Sequence, residues 1–429
     1  DSDNKGSNYS ETNYSGITPQ KIIDQQSTIQ NKTNNIHVAL SYSEPLGKDM
    51  LLQFKYTLSN NVAKRDRNAW RKDDRDNYTI IDTAYTRYTN NKYLIQTIGS
   101  TFQLTKEKYN LTIGFDIMPT YSRSIISLGD SLIEKPKQHT VNYSPNIHLS
   151  YNPDSSSSFD FNYSGSTEQP SLSQLSTDTV IINALMKNVG NVDLKPSFSN
   201  DINMYYQKSD FESGRFMMIS ARAAYIFNNI VDYSFIDRDG NTIRSYKNID
   251  GNTSASLGFL FNTPLKNKKF TLSSSSYINY SRSIGFTNEM KSTSNNTYLY
   301  QLFGIQFRNE KVDINLRTGA THNIIKNNLA ETEDRNNTTY RVNNEMSIKL
   351  PFDFLLQSYL EYTYYAGYQN DFKNSELLWN ASIAKNFLKQ KKGTLRMQLF
   401  DIFDDRNPIT RTVSGDSYSD SRTNYVNRY

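Results

Sequence analysis

Val312-Asp313-Ile314-Asn315-Leu316-Arg317-Thr318-Gly319-Ala320 alternates apolar and polar residues and carries full charges on the polar side. A second run, Val342-Asn343-Asn344-Glu345-Met346-Ser347-Ile348-Lys349-Leu350, does the same. Successive side chains of a strand point to opposite faces, so each run has one greasy face and one charged face. Asp, Arg, Glu and Lys in mid-strand require the second face to be wet, because burying an unpaired charge is costly. A wet face backed by an apolar one, recurring along the whole chain, is the pattern of a transmembrane β-barrel.

The same alternation brackets a series of turn signals. Ile36-Val38-Leu40-Tyr42 leads through Pro45 to Lys48 and returns as Leu52-Phe54-Tyr56-Leu58. Similar pairs surround Lys106 to Lys108, Asn152 to Asp154, Ser209 to Gly214, Pro264 to Lys269, Arg308 to Glu310, Pro351-Phe352 and Leu388 to Gly393. Period-2 reading therefore predicts eight tight hairpins and about sixteen strands. The connections between hairpins read as long and polar: Arg65 to Asn91, Arg123 to Gln138, Gly165 to Lys195, Asp237 to Asn248, Asn288 to Asn296, Lys326 to Thr338 and Asp404 to Tyr425. Short turns on one side and long loops on the other are the layout of an outer-membrane meander. A sandwich or propeller does not sort its loops this way.

Composition agrees once the barrel is considered. The chain has 429 residues, 36% of them hydrophobic, with a mean hydropathy of −0.70. That is too polar for spanning helices, and no run of about 18 apolar residues occurs. A barrel needs lipid-compatible residues only at alternate strand positions. The 31 Tyr and 22 Phe against 2 Trp suit aromatic girdles, although aromatics also favour any strand. Cysteine is absent, which excludes disulfides, thiol catalysis and thiolate metal sites. The net charge of +5 is modest and interspersed, so the chain shows no nucleic-acid footprint.

Chemistry-bearing clusters are few. Asp237-Arg238-Asp239-Gly240-Asn241 echoes the start of a calcium loop but lacks the later glutamate, and it equally reads as a tight turn. Asp401, Asp404 and Asp405 read as a capped turn before a cation site. His37, His139, His148 and His322 are scattered, with His37 and His148 on polar strand faces. No metal, cofactor or catalytic set is assigned, and no enzymatic activity is expected. By parity, Asp116, Asp313, Arg317, Glu345, Lys349, Glu361 and Arg396 share the polar side, either as a hydrated wall guiding a solute or as an ion-pair ladder stiffening the sheet. Leu52, Phe54, Phe115, Phe161, Phe259, Phe307, Ile314, Leu316, Ile348, Leu360 and Ile383 are expected toward lipid. Lys48, Lys106, Lys108, Lys266, Lys268, Lys269, Lys391 and Lys392 read as solvated turn residues.

Two stretches carry a family resemblance. Gln169-Pro170-Ser171-Leu172-Ser173-Gln174-Leu175, with Val189-Gly190-Asn191-Val192-Asp193-Leu194-Lys195-Pro196, resembles a segment of TonB-dependent outer-membrane receptors, especially the Bacteroidota outer membrane protein beta-barrel branch. Leu388 to Leu395 with Leu399-Phe400-Asp401-Ile402-Phe403-Asp404 and Arg406-Asn407 is similar to that family's penultimate hairpin. Tyr42-Ser43-Glu44-Pro45-Leu46-Gly47 is similar to its barrel-start wording. The resemblance implies a 22-stranded barrel plugged by a separate N-terminal domain. Residues 1–429 then read as a partial barrel, with the plug, the first strands and the last strand not in this chain, so that Ile36 to Tyr42 and Tyr429 mark open edges. It also implies a bacterial outer-membrane location and TonB-coupled uptake of a scarce solute such as an iron chelate, glycan or peptide. Implied partners are outer-membrane lipid, the protein's own plug domain, a TonB-type energy-coupling protein and a surface lipoprotein, with no nucleic acid. The loops from Arg65 to Asn91 and from Gly165 to Lys195 are expected to capture the solute. The rival readings are a receptor-like barrel serving as a non-transporting surface scaffold or assembly partner, and a soluble all-β enzyme or glycan-binding protein.

Overall fold

The alternating runs become strands that pair almost entirely with their neighbours in sequence. The computed structural model describes residues 2–12, 21–128, 131–177, 180–183, 186–237, 240–287, 289–329, 334–368, 372–387, 392–407, 409–414 and 417–423. The main strands are β1 (Ser2–Thr12), β2 (Lys21–Pro45), β3 (Met50–Lys72), β4 (Arg87–Thr105), β5 (Tyr109–Leu128), β6 (Lys137–Asp154), β7 (Ser157–Glu168), β8 (Ser197–Asp210) and β9 (Arg215–Phe227). They continue with β10 (Asn252–Pro264), β11 (Phe270–Thr287), β12 (Met290–Arg308), β13 (Val312–Asn327), β14 (Arg335–Leu350), β15 (Phe354–Ala366), β16 (Ser375–Phe387) and β17 (Gly393–Leu399). Each pairs antiparallel with the next. Tyr78–Ile81 on β3 and Ser131–Glu134 on β5 complete a 19-stranded sheet. Among the described residues, the segment Ile36 to Tyr42 of β2 has β3 as its partner, and β1 pairs only with residues 21–31.

The short turns are closed by side chains suited to them. Asp154 accepts from the Ser156 amide at 2.8 Å. Asp210 accepts from the Glu212 and Ser213 amides at 3.1 Å, and Gly214 supplies a φ of +71°. Asn309 accepts from the Lys311 and Val312 amides at 2.9 and 2.8 Å. Asp and Asn reach backbone donors two or three residues on, which is why they recur at these corners. The turn around 388–391, with Lys391, lies outside the described residues, as do Asn288 and the end at 424–429.

The sheet has two chemically different faces. Its accessible surface is 27005 Å², against roughly 17,000 Å² for a compact soluble protein of this mass. Buried hydrophobics among the described residues are few, Ile126, Leu172, Leu175, Leu194, Ile284 and Ile325 among them. Meanwhile Leu40 is 63% exposed, Phe54 48% and Phe115 45%. Greasy side chains thus point away from the protein, which inverts a soluble core and suits a lipid surround.

Several stretches expected to be loops are strand. β3 runs on to Lys72 and β4 starts at Arg87, so the connection expected from Arg65 to Asn91 shrinks to residues 73–86. β11 and β12 continue to Thr287 and from Met290, which removes the expected loop from Asn288 to Asn296. The segment from Asp237 to Asn248 is mostly the strand Thr242–Ile249, paired with Asn229–Ile236. The region from Asp404 contains the paired strands Ile409–Ser414 and Ser417–Arg422. Backbone ladders do not need apolar side chains, so hairpins continue into water after the alternation ends. β2 has 25 residues, whereas about 10 tilted residues cross a bilayer, leaving roughly 50 Å of strand outside it.

Candidate functional site

The charged residues fall on one face because the register is continuous. Lys55 lies opposite Gly99, and Gly99 opposite Asp116. Farther along, Arg308 lies opposite Asp313, Asp313 opposite Ser347, Ser347 opposite Gln357, Gln357 opposite Ser382, and Ser382 opposite Gln398. Following these rows places Asp116, Asp313, Arg317, Glu345, Lys349, Glu361 and Arg396 all on that polar face. The residues expected toward lipid, Leu52 to Ile383, all fall on the opposite face.

On β12 to β17 the polar face hollows into an open cavity of about 640 Å³. Asp313, Arg317 and Glu345 meet there with Gln306, Arg308, Tyr359 and Asn380. Adjacent strands are stitched by ion pairs: Arg308 to Asp313 at 2.7 Å, Arg317 to Glu345 at 3.3 Å and Arg341 to Glu361 at 3.7 Å. Gln306 donates to Asp313 at 2.8 Å, and the Tyr359 hydroxyl donates to Glu361 at 2.6 Å. The charges therefore neutralise one another around a hydrated hollow dense in donors and acceptors. Such a wall can hold a polar surface or a polar solute; among the described residues no three His, Cys, Asp or Glu side chains gather as a metal site.

The other expected residues sit apart. Asp116 pairs with Lys55 at 2.7 Å across Gly99, where a Cβ would come within 2.2 Å of the Asp116 carboxylate. Lys349 and Arg396 are exposed near the short-turn end. Arg308, Arg341 and Lys55 join the polar face by the same parity count, although in the sequence Arg308 reads as the start of a turn. His37 and His148 take the polar face, as parity indicates, and His37 bonds Ser59 at 2.8 Å. Asp401 accepts from the Asp405 amide at 3.2 Å, and Asp405 pairs with Lys373 at 2.7 Å, which is the capped-turn arrangement. Asp237 accepts from the Asn241 amide at 2.8 Å and pairs with Lys187 at 3.6 Å, again a closed turn; residues 238–239 lie outside the described ones.

The segment after β7 is a folded cap rather than an open loop. Ser171 caps the helical turn Leu172–Leu175 in a reciprocal capping box with Gln174. Leu172, Leu175 and Leu194 are buried. The Gly190 amide donates to the Ser176 carbonyl at 2.7 Å and the Asn191 amide to Gln174 at 2.6 Å. Asn248 of the neighbouring hairpin bonds both the amide and the carbonyl of Lys195 at 2.8 Å. Thr140 of the polar face donates to Gln169 at 2.8 Å, and polar-face residues Thr120, Ser122 and Ser124 are buried. The cap is thus held against the polar face of β4 to β6.

A model of the outer membrane protein beta-barrel family matches residues 1–429. A search of the curated proteins finds no match. Among solved structures, the chain is similar to a copper transporter, OprC, at 10% identity and a TM-score of 0.37, covering 90% of this chain and 64% of that one. It is also similar to the siderophore receptor PirA from Pseudomonas aeruginosa (12% identity, TM-score 0.33, 89% and 71% covered) and to the outer membrane transporter YddB from Escherichia coli (10%, 0.24, 93% and 74%). The chain spans 64% of the length of OprC.

Proposed function

The chain belongs to the outer membrane protein beta-barrel family, and from that premise we propose that it is the wall of a receptor for energised import of a scarce solute. It lies in the bacterial outer membrane as a large antiparallel transmembrane β-barrel sheet. The apolar face meets lipid and the polar face lines the lumen. In this reading a separate plug domain fills the lumen and seats its polar surface in the hollow around Asp313, Arg317 and Glu345. A TonB-type protein supplies the energy. The cap, built from residues 169–177 and 186–196, narrows the outer mouth, where the solute or a surface lipoprotein is met. The ligand is moved and not changed chemically.

One observation carries this reading: opposite charges are laced across the polar face while the other face is left greasy. A simple pore needs no hollow of matched donors and acceptors, whereas a surface that docks and releases a polar domain does. The test is uptake in cells with and without the full-length gene, using labelled ferric chelates, cobalamin and oligosaccharides, each with and without a protonophore. Protonophore-sensitive accumulation of one class is expected. Equal, protonophore-insensitive entry of small solutes would refute energised import and leave a passive pore; gene-dependent entry of none of them would favour a surface scaffold.

A further inference from the structure

The apolar face of β2 to β6 ends in a row of cations. On β5 it reads Leu111, Ile113, Phe115 and Ile117, then Tyr121, then Arg123. From Leu111 to Tyr121 is about 33 Å of strand, or roughly 25 Å across a bilayer after tilt, the height of a barrel's apolar band. Arg123 therefore stands just past the aromatic edge of that band. Every neighbouring strand repeats this: Lys32 on β2, Lys64 on β3, Lys92 on β4 and Lys137 on β6 occupy the same face at the same end. That end is the one away from the short turns, which in outer-membrane barrels is the outer leaflet.

The register sets like charges side by side. Lys32 lies directly opposite Lys64, Lys92 opposite Arg123, and Arg123 opposite Lys137. Directly opposed side chains on one face are about 5 Å apart, and like charges there repel. The polar face solves the same problem with opposite charges, as in Lys55 with Asp116 and Arg317 with Glu345. Here none of the five cations has an ion-pair partner among the described residues. The nearest acid on that face, Asp66, lies farther from the membrane, between Gln30 and Tyr88. Lys32, Lys64, Lys92 and Lys137 are exposed.

We propose that this strip, Lys32, Lys64, Lys92, Arg123 and Lys137, is a binding site for the phosphate groups of an anionic outer-leaflet lipid. The acyl chains would lie on the apolar band below, and the phosphates would sit between opposed cations and cancel their repulsion. The position favours lipid over a protein occupant, since the strip stands at headgroup height on the face that carries the apolar band. An acidic protein segment would have to displace headgroups to reach it.

The test is native mass spectrometry of the full-length protein purified from outer membranes. The probes are diphosphoryl lipid A, dephosphorylated lipid A with the same acyl chains, and inorganic phosphate. The wild type should retain the diphosphoryl form preferentially, and less of it as salt is raised. The triple variant K92Q/R123Q/K137Q should retain it on the order of a hundredfold less, three charges at roughly fivefold each. The control K266Q/K268Q/K269Q, at the short turn between β10 and β11, should match the wild type. Equal retention of the two lipid A forms by the wild type, or retention insensitive to salt, overturns the proposal without recourse to any variant. A folded triple variant that retains the lipid as well as the wild type also overturns it. Inorganic phosphate bound as tightly as the lipid would make the strip a free-anion site. Loss of an acidic protein from the triple variant, with lipid retention unchanged, would assign the strip to that partner instead.

Discussion

Replacing Gly190 with alanine should open the cap and spare the barrel wall. A Cβ at this position would come within 2.3 Å of the Ser176 carbonyl oxygen, 2.6 Å of the Gln174 carbonyl oxygen and 2.7 Å of the Ser176 nitrogen. All three are backbone atoms and cannot rotate aside. Relief requires the two segments to separate by most of an ångström, which breaks the bonds Gly190 to Ser176 at 2.7 Å and Asn191 to Gln174 at 2.6 Å. Two backbone hydrogen bonds at about 0.5–1.5 kcal/mol each make the local cost ~1–3 kcal/mol. Local opening should then be roughly 5- to 150-fold more frequent. Hydrogen exchange of the full-length protein in detergent reads this directly, on peptides covering 172–177 and 186–196. Exchange there should speed up by that factor, while β12 to β15 stay protected and the band on a heat-modifiability gel stays folded. Gly285→Ala is the control, because its Cβ would meet nothing within 4 Å. Unchanged exchange in Gly190→Ala would show that the close approach of the two segments is wrong.

Further outcomes follow from the same geometry. Leu316→Arg puts a cation on the apolar face and should cost ~2–4 kcal/mol near mid-bilayer, lowering the folded fraction on a heat-modifiability gel. Arg317→Gln breaks a half-exposed pair with Glu345 and should cost ~0–1 kcal/mol; the reverse order would put the charges on the wrong face. Asn248→Ala removes the bonds to the Lys195 amide and carbonyl and to the Asn228 carbonyl, so proteolysis of residues 186–196 should accelerate while the barrel band survives. Asp73 accepts from Thr79, the Asn77 amide and the Arg75 amide, and these hold its carboxyl below the ordinary 3.8. A depressed folded-state value means the brace is complete above 3.8 and fails as pH falls through the lower folded value. The Asn77 amide should lose exchange protection only in that acid range, and Asp73→Asn should abolish the dependence; loss already at neutral pH in the wild type would contradict it.

The short turns and the two faces were legible because both are local. Val312 to Ala320 and Val342 to Leu350 declare their faces by period 2, and Asp210 to Gly214 or Asn309 to Val312 declare their corners by side-chain chemistry. Hairpin partners follow from those corners, so Asp313, Arg317 and Glu345 could be placed on one side before any packing was known. Loop lengths are not legible where polar residues continue a ladder, as from Arg65 to Lys72 and from Met290 to Asn296. There the backbone bonds hold the strand, and side-chain periodicity has no burial to report.

The sequence by itself determined the alternation, the chain order of the meander and the sidedness of its charges, since each depends on residues a few positions apart. Only the tertiary structure decided which charges touch. Lys55 reaches Asp116 across a glycine on a third strand, and Glu361 pairs diagonally with Arg341 while Asn343 lies directly opposite it. It also decided that residues 169–177 and 189–196 fold together against the polar face instead of standing open. Those outcomes depend on registers between strands tens of residues apart, and on steric fits such as Gly190 against Ser176, which pairwise patterns along the chain do not encode. The facing cations Lys92, Arg123 and Lys137 belong to both. Parity sets their side, and the ladder between three strands brings them level.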